Sequence, residues 1–372
     1  MRILTLNPGS SSLKAAMHAD GAATATRTWE AADATADEQA ISRALEEWPE
    51  PDAVAVRFVH GGSRPRPVVL DEHELGELER LTPLAPLHQP LSVHTARVVR
   101  ALLPGTPVIA CFDTSFHSGL PDAAARYALP HAWTSQNRLR RYGFHGLSCR
   151  HALRHAAELL GRAEEQLSLV VAHVGAGVSV TAIRDGSSVD TSMGFTALEG
   201  AAMATRSGSV DPGLLLHVLG TSEVTLPQLR NTLYRESGLA GMTGTSGDLR
   251  EVLAADRAGD RNAHTALAVY RHRLRREIGA MAMSLERLDA VVFTGGVAEH
   301  QPAVVGEIVA GCALLGLTAD PGKLAAEGDR VVSTGEVPVL ILTAREDLEL
   351  ARGAEALLSG ARRPDAPAGH AS

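Results

Sequence analysis

The sequence predicts an α/β protein of two domains, on three observations. Its 372 residues exceed one ordinary core, and 45% of them are hydrophobic, enough to fill two. Apolar runs of strand length alternate with stretches of helical spacing. A strand, a Gly/Ser turn and a second strand occur twice, at Asn7–Ser12 and at His173–Ser179, each near the start of its half. That repetition suggests two related domains facing a common cleft.

The elements follow in order. Arg2–Leu6 is a short apolar strand, Asn7-Pro-Gly-Ser-Ser-Ser12 a turn, and Leu13–Met17 a second strand. Ala53–Val59 is a strand ending at His60-Gly61-Gly62. Glu72–Leu81 and Leu91–Leu103 carry helical spacing, and Pro107–Phe112 is a buried-type strand running into Asp113. In the second half Leu147–Leu160 reads as helix. Leu167–His173 and Val178–Arg184 read as strands around Gly175-Ala-Gly177. Further helices are expected at Leu214–Leu219, Leu226–Glu236, Asn262–Leu285 and Val304–Gly311. Strands are expected at Ala290–Thr294 and Val337–Leu342, and a helix at Asp347–Leu358. The Pro/Ala/Gly-rich tail 362–372 is expected to be disordered.

Composition narrows the class. A net charge of -8 leaves no footprint of a general nucleic-acid binder. No apolar run approaches the ~20 residues of a membrane span, and the N-terminus turns polar too soon for a signal peptide. Cys111, Cys149 and Cys312 fit neither a closed disulfide set nor a zinc cluster, which points to a cytoplasmic setting.

Short Gly/Ser turns after strands expose backbone N–H groups that can cradle phosphate. Asn7–Ser12, Gly175–Gly177 and Gly295-Gly296 have this form; none is a Walker A loop or a dinucleotide fingerprint. Taken singly, each is an ordinary turn; three in one chain suit a nucleotide. Lys14 follows the first turn and could meet phosphate charge or be a solvated strand residue. Asn7 and Glu346 follow strand-like runs and offer the hard oxygens that magnesium takes. Arg57, Asp113, His145 and Arg206 sit beside glycines or at strand ends, where phosphoryl transfer could use them. The plain readings are a surface ion pair for Arg57, a helix cap for Asp113 and a turn hydrogen bond for His145.

An ordered set of motifs resembles the acetate and propionate kinase family. It begins with Leu4–Lys14, Arg57-Phe-Val-His-Gly-Gly62, Ala85-Pro-Leu-His88, Phe112-Asp-Thr-Ser-Phe-His117 and Arg141-Tyr-Gly-Phe-His-Gly146. It continues with His173–Gly177, Val189–Phe195, Thr205–Gly208, Gly247–Arg250, Phe293–Gly296 and Glu346–Arg352. The resemblance implies two ribonuclease H-like domains of the acetate and sugar kinase, Hsp70 and actin superfold, around a nucleotide cleft. It places domain I at 1–118 with 346–361 and domain II at 119–345. The implied reaction moves the γ-phosphoryl group of ATP to a small carboxylic acid, in a cytoplasmic homodimer.

Site roles follow from the same resemblance. Asn7 and Glu346 would hold Mg2+ (or Mn2+); Asp113, His145 and Arg206 would be catalytic. Arg57, Val59, Leu87, Phe144 and Ala197 would contact the acid. Ser10, Ser12, Lys14, His173, Gly175, Gly177, Asp248, Leu249, Arg250, Gly296 and His300 would contact ATP. The chain departs from the family pattern at four places: Ala176 for Asn, Ala197 for Pro, Ser209 for Asp, and Gly296-Val-Ala-Glu-His300 for Gly-Ile-Gly-Glu-Asn. The change at Ala197 predicts a roomier acyl pocket suited to propionate or a larger acid.

Overall fold

In the computed structural model the apolar runs of the first half become strands β1 (Arg2–Pro8), β2 (Ser12–Ala19), β3 (Ala22–Glu30), β4 (Ala53–Phe58), β5 (Val68–Val69) and β6 (Val108–Phe112). The structure describes residues 1–9, 12–30, 34–221 and 223–361. Ser10 and the expected disordered tail lie outside the described residues. The chain separates into two units, Met1–Ser115 with the chain from Arg345 on, and Phe116–Ala344.

The first unit holds one sheet of order β3-β2-β1-β4-β6-β5. β1, β2 and β3 form an antiparallel meander, while β4 and β6 run parallel to β1. Parallel strands covered on both faces read as continuous apolar runs. Accordingly β4 is buried throughout except at Arg57. Its Val54, Val56 and Phe58 are 0% exposed, each burial worth about 1.5–3 kcal/mol. The helix Gln89–Leu102 buries Gln89, Ser92, Val93, Ala96 and Val99, the i, i+3, i+4 spacing of a core-facing stripe. The helix Glu346–Ala361 returns to pack on β1 and β4.

The second unit holds β7 (Ser168–Val174), β8 (Val178–Arg184), β9 (Ser187–Thr191), β10 (Ala290–Thr294), β11 (Arg330–Val331) and β12 (Val339–Leu342). Its order is β11-β12-β10-β7-β8-β9. β7, β8 and β9 form a meander, β10 and β12 run parallel to β7, and β11 is a two-residue antiparallel edge. Strand for strand this is the order and sense of the first sheet. The internal likeness first suggested by two turns therefore extends to the whole topology.

Helices cover this sheet too. Gly146–Leu160 packs on β7, β10 and β12 through Cys149, Leu153 and Ala156, and stops at Gly161 in the left-handed conformation. Arg261–Met283 is capped by Asp260 and buries Ala263, Ala266, Leu267, Tyr270, Leu274 and Ile278 against β8 and β7. Among the described residues no helix is long and apolar enough to cross a membrane. The three cysteines are buried and unbridged.

Candidate active site

In an open α/β sheet the working residues gather at the carboxyl ends of parallel strands. At those ends the first unit carries Asn7 in β1, Arg57 in β4 and Asp113 directly after β6, on three adjacent parallel strands. Arg57 donates to both Asp113 oxygens, Nε to Oδ1 at 2.9 Å and Nη2 to Oδ2 at 2.6 Å. Its Nη1 donates to Asn7 Oδ1 at 3.0 Å and lies 3.3 Å from Glu346 Oε2. Asn7 Nδ2 in turn donates to Glu346 Oε2 at 2.6 Å. Asp113 is 0% exposed. Burial alone would lower the Arg57 pKa; the charges of Asp113 and Glu346 and the bond to Asp113 outweigh it and hold the guanidinium above its ordinary value. The plain readings of Arg57 as a surface strand residue and Asp113 as a helix cap give way to a buried, forked ion pair.

The neighbours of this cluster are ordered by backbone geometry. Lys14 sits directly opposite Asn7 in the β1–β2 ladder, so both side chains leave the same face, and Lys14 is exposed. Ser12 closes the intervening turn, its carbonyl accepting from Gly9 N at 2.8 Å. Val59 is buried and Leu87 half-buried. The loop after β4 is held by Gln89, whose side chain accepts from His60 N and donates to the carbonyls of His60 and Leu78.

The second unit gathers Arg206, His145 and His173 on the same part of its own sheet. The β7–β8 turn closes by Gly175 N donating to Gly177 O at 3.0 Å. A Cβ on Gly177 would lie 2.6 Å from Arg206 Nη2 and 3.3 Å from His145 Nε2, so both side chains approach that turn. His145 opens the helix Gly146–Leu160 with a left-handed backbone, φ 56°. Its Nδ1 pairs with Ser179 Oγ at 3.0 Å, and its ring stacks on His173 at 4.1 Å between centroids. His173 Nδ1 pairs with Ser148 Oγ at 2.8 Å. Gly295, leading into the short helix Gly296–His300, is packed against Val174 and His173. Thus the turn after β10 rests on the end of β7.

Arg206 differs sharply from Arg57. It is 8% exposed, yet its bond partner is the Ala197 carbonyl, accepting from Nη1 at 2.6 Å. No carboxylate pairs with it among the described residues. Burial pushes its pKa down to about 10, opposed only by Tyr234. A buried charge without a counter-ion is costly, and a strongly shifted pKa at such a place marks a candidate functional residue.

The Ala197 loop is itself braced. Tyr127 Oη donates to Glu199 Oε2 at 2.5 Å and accepts from Phe195 N at 2.8 Å, while Arg141 Nη2 donates to Glu199 Oε1 at 2.9 Å. Sequence reasoning missed Tyr127, Glu199, Ser148 and Ser179, because no local motif marks a residue that acts through a neighbour.

Residues 28–352 match the model of the acetokinase family. The chain belongs to that family. Among its relatives, the acetate kinase of Synechococcus sp. is 47% identical over 311 residues, 82% of this chain and 77% of that protein. The acetate kinase of Streptomyces avermitilis is 42% identical over 318 residues, 84% of this chain and 78% of that protein. Among solved structures, Porphyromonas gingivalis acetate kinase superposes with a TM-score of 0.85 at 30% identity, covering 96% of this chain and 99% of its own. A propionate kinase from Francisella tularensis gives 0.87 at 29% identity, covering 95% and 98%.

In this acetokinase-family chain the remaining expected contacts are dispersed over the second unit. Phe144 is buried beside His145. Asp248 caps the helix Leu249–Arg257 and grips Arg250, whose side-chain bond is the main cause lowering the Asp248 pKa. His300 ends its short helix in an exposed position. Ala176 contributes its carbonyl to Ala204 N, and Ser209 Oγ accepts from Gly200 N.

The donor set near Arg57 fits Mg2+. It offers one amide and one carboxylate already in hydrogen-bond contact, with a second carboxylate across Arg57. Among the described residues no cluster of three or more His, Cys, Asp or Glu side chains forms a metal cage. Mg2+ prefers such sparse hard-oxygen coordination, completed by phosphate and water.

Proposed function

We infer that this chain is an acyl kinase. It transfers the γ-phosphoryl group of ATP to a short-chain carboxylate, acetate or propionate, giving an acyl phosphate and ADP in a reversible reaction. The observation that best supports the reading is Arg206: a buried guanidinium without a carboxylate partner among the described residues, beside a glycine turn and His145. An incoming phosphoryl group supplies the missing anion.

The residue roles follow from charge. A carboxylic acid with a pKa of about 4 is already ionised at neutral pH, so its oxygen attacks phosphorus without a general base. The oxygen–phosphorus bond to the acceptor forms as the bond to the β–γ bridging oxygen breaks, and ADP carries away the electron pair. No phosphoenzyme is needed. Arg206 and His145 stabilise charge on the equatorial oxygens. Arg57 meets the acid's carboxylate or the phosphoryl group, and Asp113 acts by holding its fork in one orientation. Asn7 and Glu346 would hold Mg2+, which supplies charge neutralisation on phosphate oxygens when bound. Lys14, the Gly175–Gly177 turn, His173 and Gly296 contact phosphates, and Asp248–Arg250 with His300 flank the nucleotide. Val59, Leu87, Phe144 and Ala197 face the alkyl group. A cytoplasmic homodimer is the proposed assembly; the unbridged buried cysteines suit that compartment.

The test is a hydroxylamine trap for acyl phosphate, run with ATP, Mg2+ and a panel of carboxylic acids. Acetate or propionate should give hydroxamate at steady turnover, and excess chelator should abolish it. No hydroxamate with any acid, or full turnover in chelator, would overturn the reading.

A further inference from the structure

His117 is fully buried at 0% exposure and takes no part in the roles given above. Its two ring nitrogens are both engaged. Nε2 lies 3.0 Å from the Phe144 carbonyl and Nδ1 lies 2.8 Å from Ser188 Oγ. A carbonyl can only accept, so Nε2 carries the proton and Nδ1 accepts from the Ser188 hydroxyl. Burial pushes the ring's pKa down to about 4, against the Phe144 bond, so it is neutral at working pH.

The carbonyl it grips belongs to the peptide joining Phe144 to His145. Rotating that peptide plane changes ψ of Phe144 and φ of His145 together. His145 has φ 56°, a conformation that an L-residue adopts only when its surroundings impose it. The turn rests directly on the His117 ring: a Cβ on Gly143, whose φ is 74°, would lie 2.6 Å from two of its ring carbons. On the other side, Tyr142 N and Gly143 N donate to the Gly194 carbonyl at 3.0 and 3.4 Å.

We propose that His117 is a positioning residue: by holding the Phe144 carbonyl it fixes the peptide that aims His145 at the Gly177 turn and Arg206. Ser188, from the edge strand β9, donates to Nδ1 and so supports the tautomer that the carbonyl requires. The proposal rests on His145 acting at the phosphoryl group.

The experiment compares purified full-length His117→Phe, His117→Gln, Ser188→Ala, His145→Ala and the His117→Phe/His145→Ala double variant, with kcat and KM from the hydroxylamine assay and Tm for each. Phenylalanine fills the space without a donor, and should lower kcat by about tenfold or more while KM for ATP and acid stay within about threefold. Glutamine can present an N–H near the Nε2 position and should recover most of that loss. Ser188→Ala should lower kcat by a smaller factor, and it decides the matter if His117→Phe fails to fold. In the His145→Ala background, His117→Phe should add no further loss, because its effect passes through the missing ring. Parent-like kcat in folded His117→Phe or in Ser188→Ala, glutamine no better than phenylalanine, or fully additive losses would each overturn the proposal alone. Full activity in His145→Ala would remove the reading beneath it, and the proposal with it.

Discussion

At the scale of single residues, the two arginines of the proposed site are held by opposite means. Arg57 donates to Asp113 and Asn7, whereas Arg206, among the described residues, carries its charge into the interior with the Ala197 carbonyl as its hydrogen-bond partner. Replacing an uncompensated buried charge with an apolar side chain of similar length removes a desolvation cost. We expect Arg206→Met to raise Tm by a few degrees while turnover falls by orders of magnitude, the loss of ~3 kcal/mol or more of transition-state stabilisation. A lowered Tm with retained turnover would refute both halves. Ala197 gives the second prediction. Its carbonyl holds Arg206, and proline keeps a carbonyl, so Ala197→Pro should retain turnover while its ring narrows the space for the acid. The ratio of kcat/KM for propionate or butyrate to that for acetate should fall in the variant, since one methylene is worth about 1–3 kcal/mol in an apolar pocket. An unchanged ratio would show that Ala197 does not set chain length. The residue types at Arg57, Asp113, His145 and Arg206 were legible in the sequence, but their partners were not. Asn7 and Glu346 touch across a sequence separation of 339 residues, which no local pattern encodes.

At the scale of elements, legibility followed burial. The strands corresponding to β1, β2, β4, β6, β7, β8, β10 and β12 announce themselves as apolar runs, because they are covered by protein. β3 gives no such run: it is an edge strand whose Thr24, Thr26, Arg27 and Thr28 dilute the apolar signal. The same holds for β9, with its Ser187-Ser-Val-Asp-Thr191 sequence. The expected strand Val337–Leu342 starts instead at Val339, with Pro338 serving only as an acceptor for Val291 N. Helix ends carry a test of their own. Asp248, proposed to contact the nucleotide, has a carboxylate that accepts from Arg250 N at 2.8 Å as a helix cap. Asp248→Ala should therefore cost about 1 kcal/mol of stability even without nucleotide. Asp248→Asn keeps an acceptor and should unfold near the parent midpoint in urea. Equal midpoints for alanine and asparagine would show that the cap contributes nothing.

At the scale of the whole molecule, each unit buries a neutral histidine. Burial pushes His60 in the first unit and His117 in the second from 6.5 down to about 4. Between those values the unfolded chain binds protons that the folded chain refuses, so the equilibrium moves toward unfolding as pH falls. The stability these groups confer is whole above about pH 6.5 and is lost as pH falls through about 4, below which both states are protonated. Urea midpoints measured from pH 7.5 to 4 should decline across that window, and His60→Gln should flatten part of the slope. A midpoint independent of pH there would contradict the buried neutral rings.

The helix Glu346–Ala361 belongs to the first unit although the whole second unit precedes it in the chain. A ribosome therefore releases β1 to β6 long before the helix that covers β1 and β4, and long before the carboxylate of Glu346 that completes the cluster on Arg57. The second unit is continuous and can mature during synthesis, whereas the first must wait with part of its sheet uncovered. Chains released early would carry Arg57 and the proposed phosphate turns but lack the Glu346 carboxylate that lies 3.3 Å from Arg57 Nη1. The first unit's sheet and its Arg57 cluster thus depend on a helix encoded after the entire second unit.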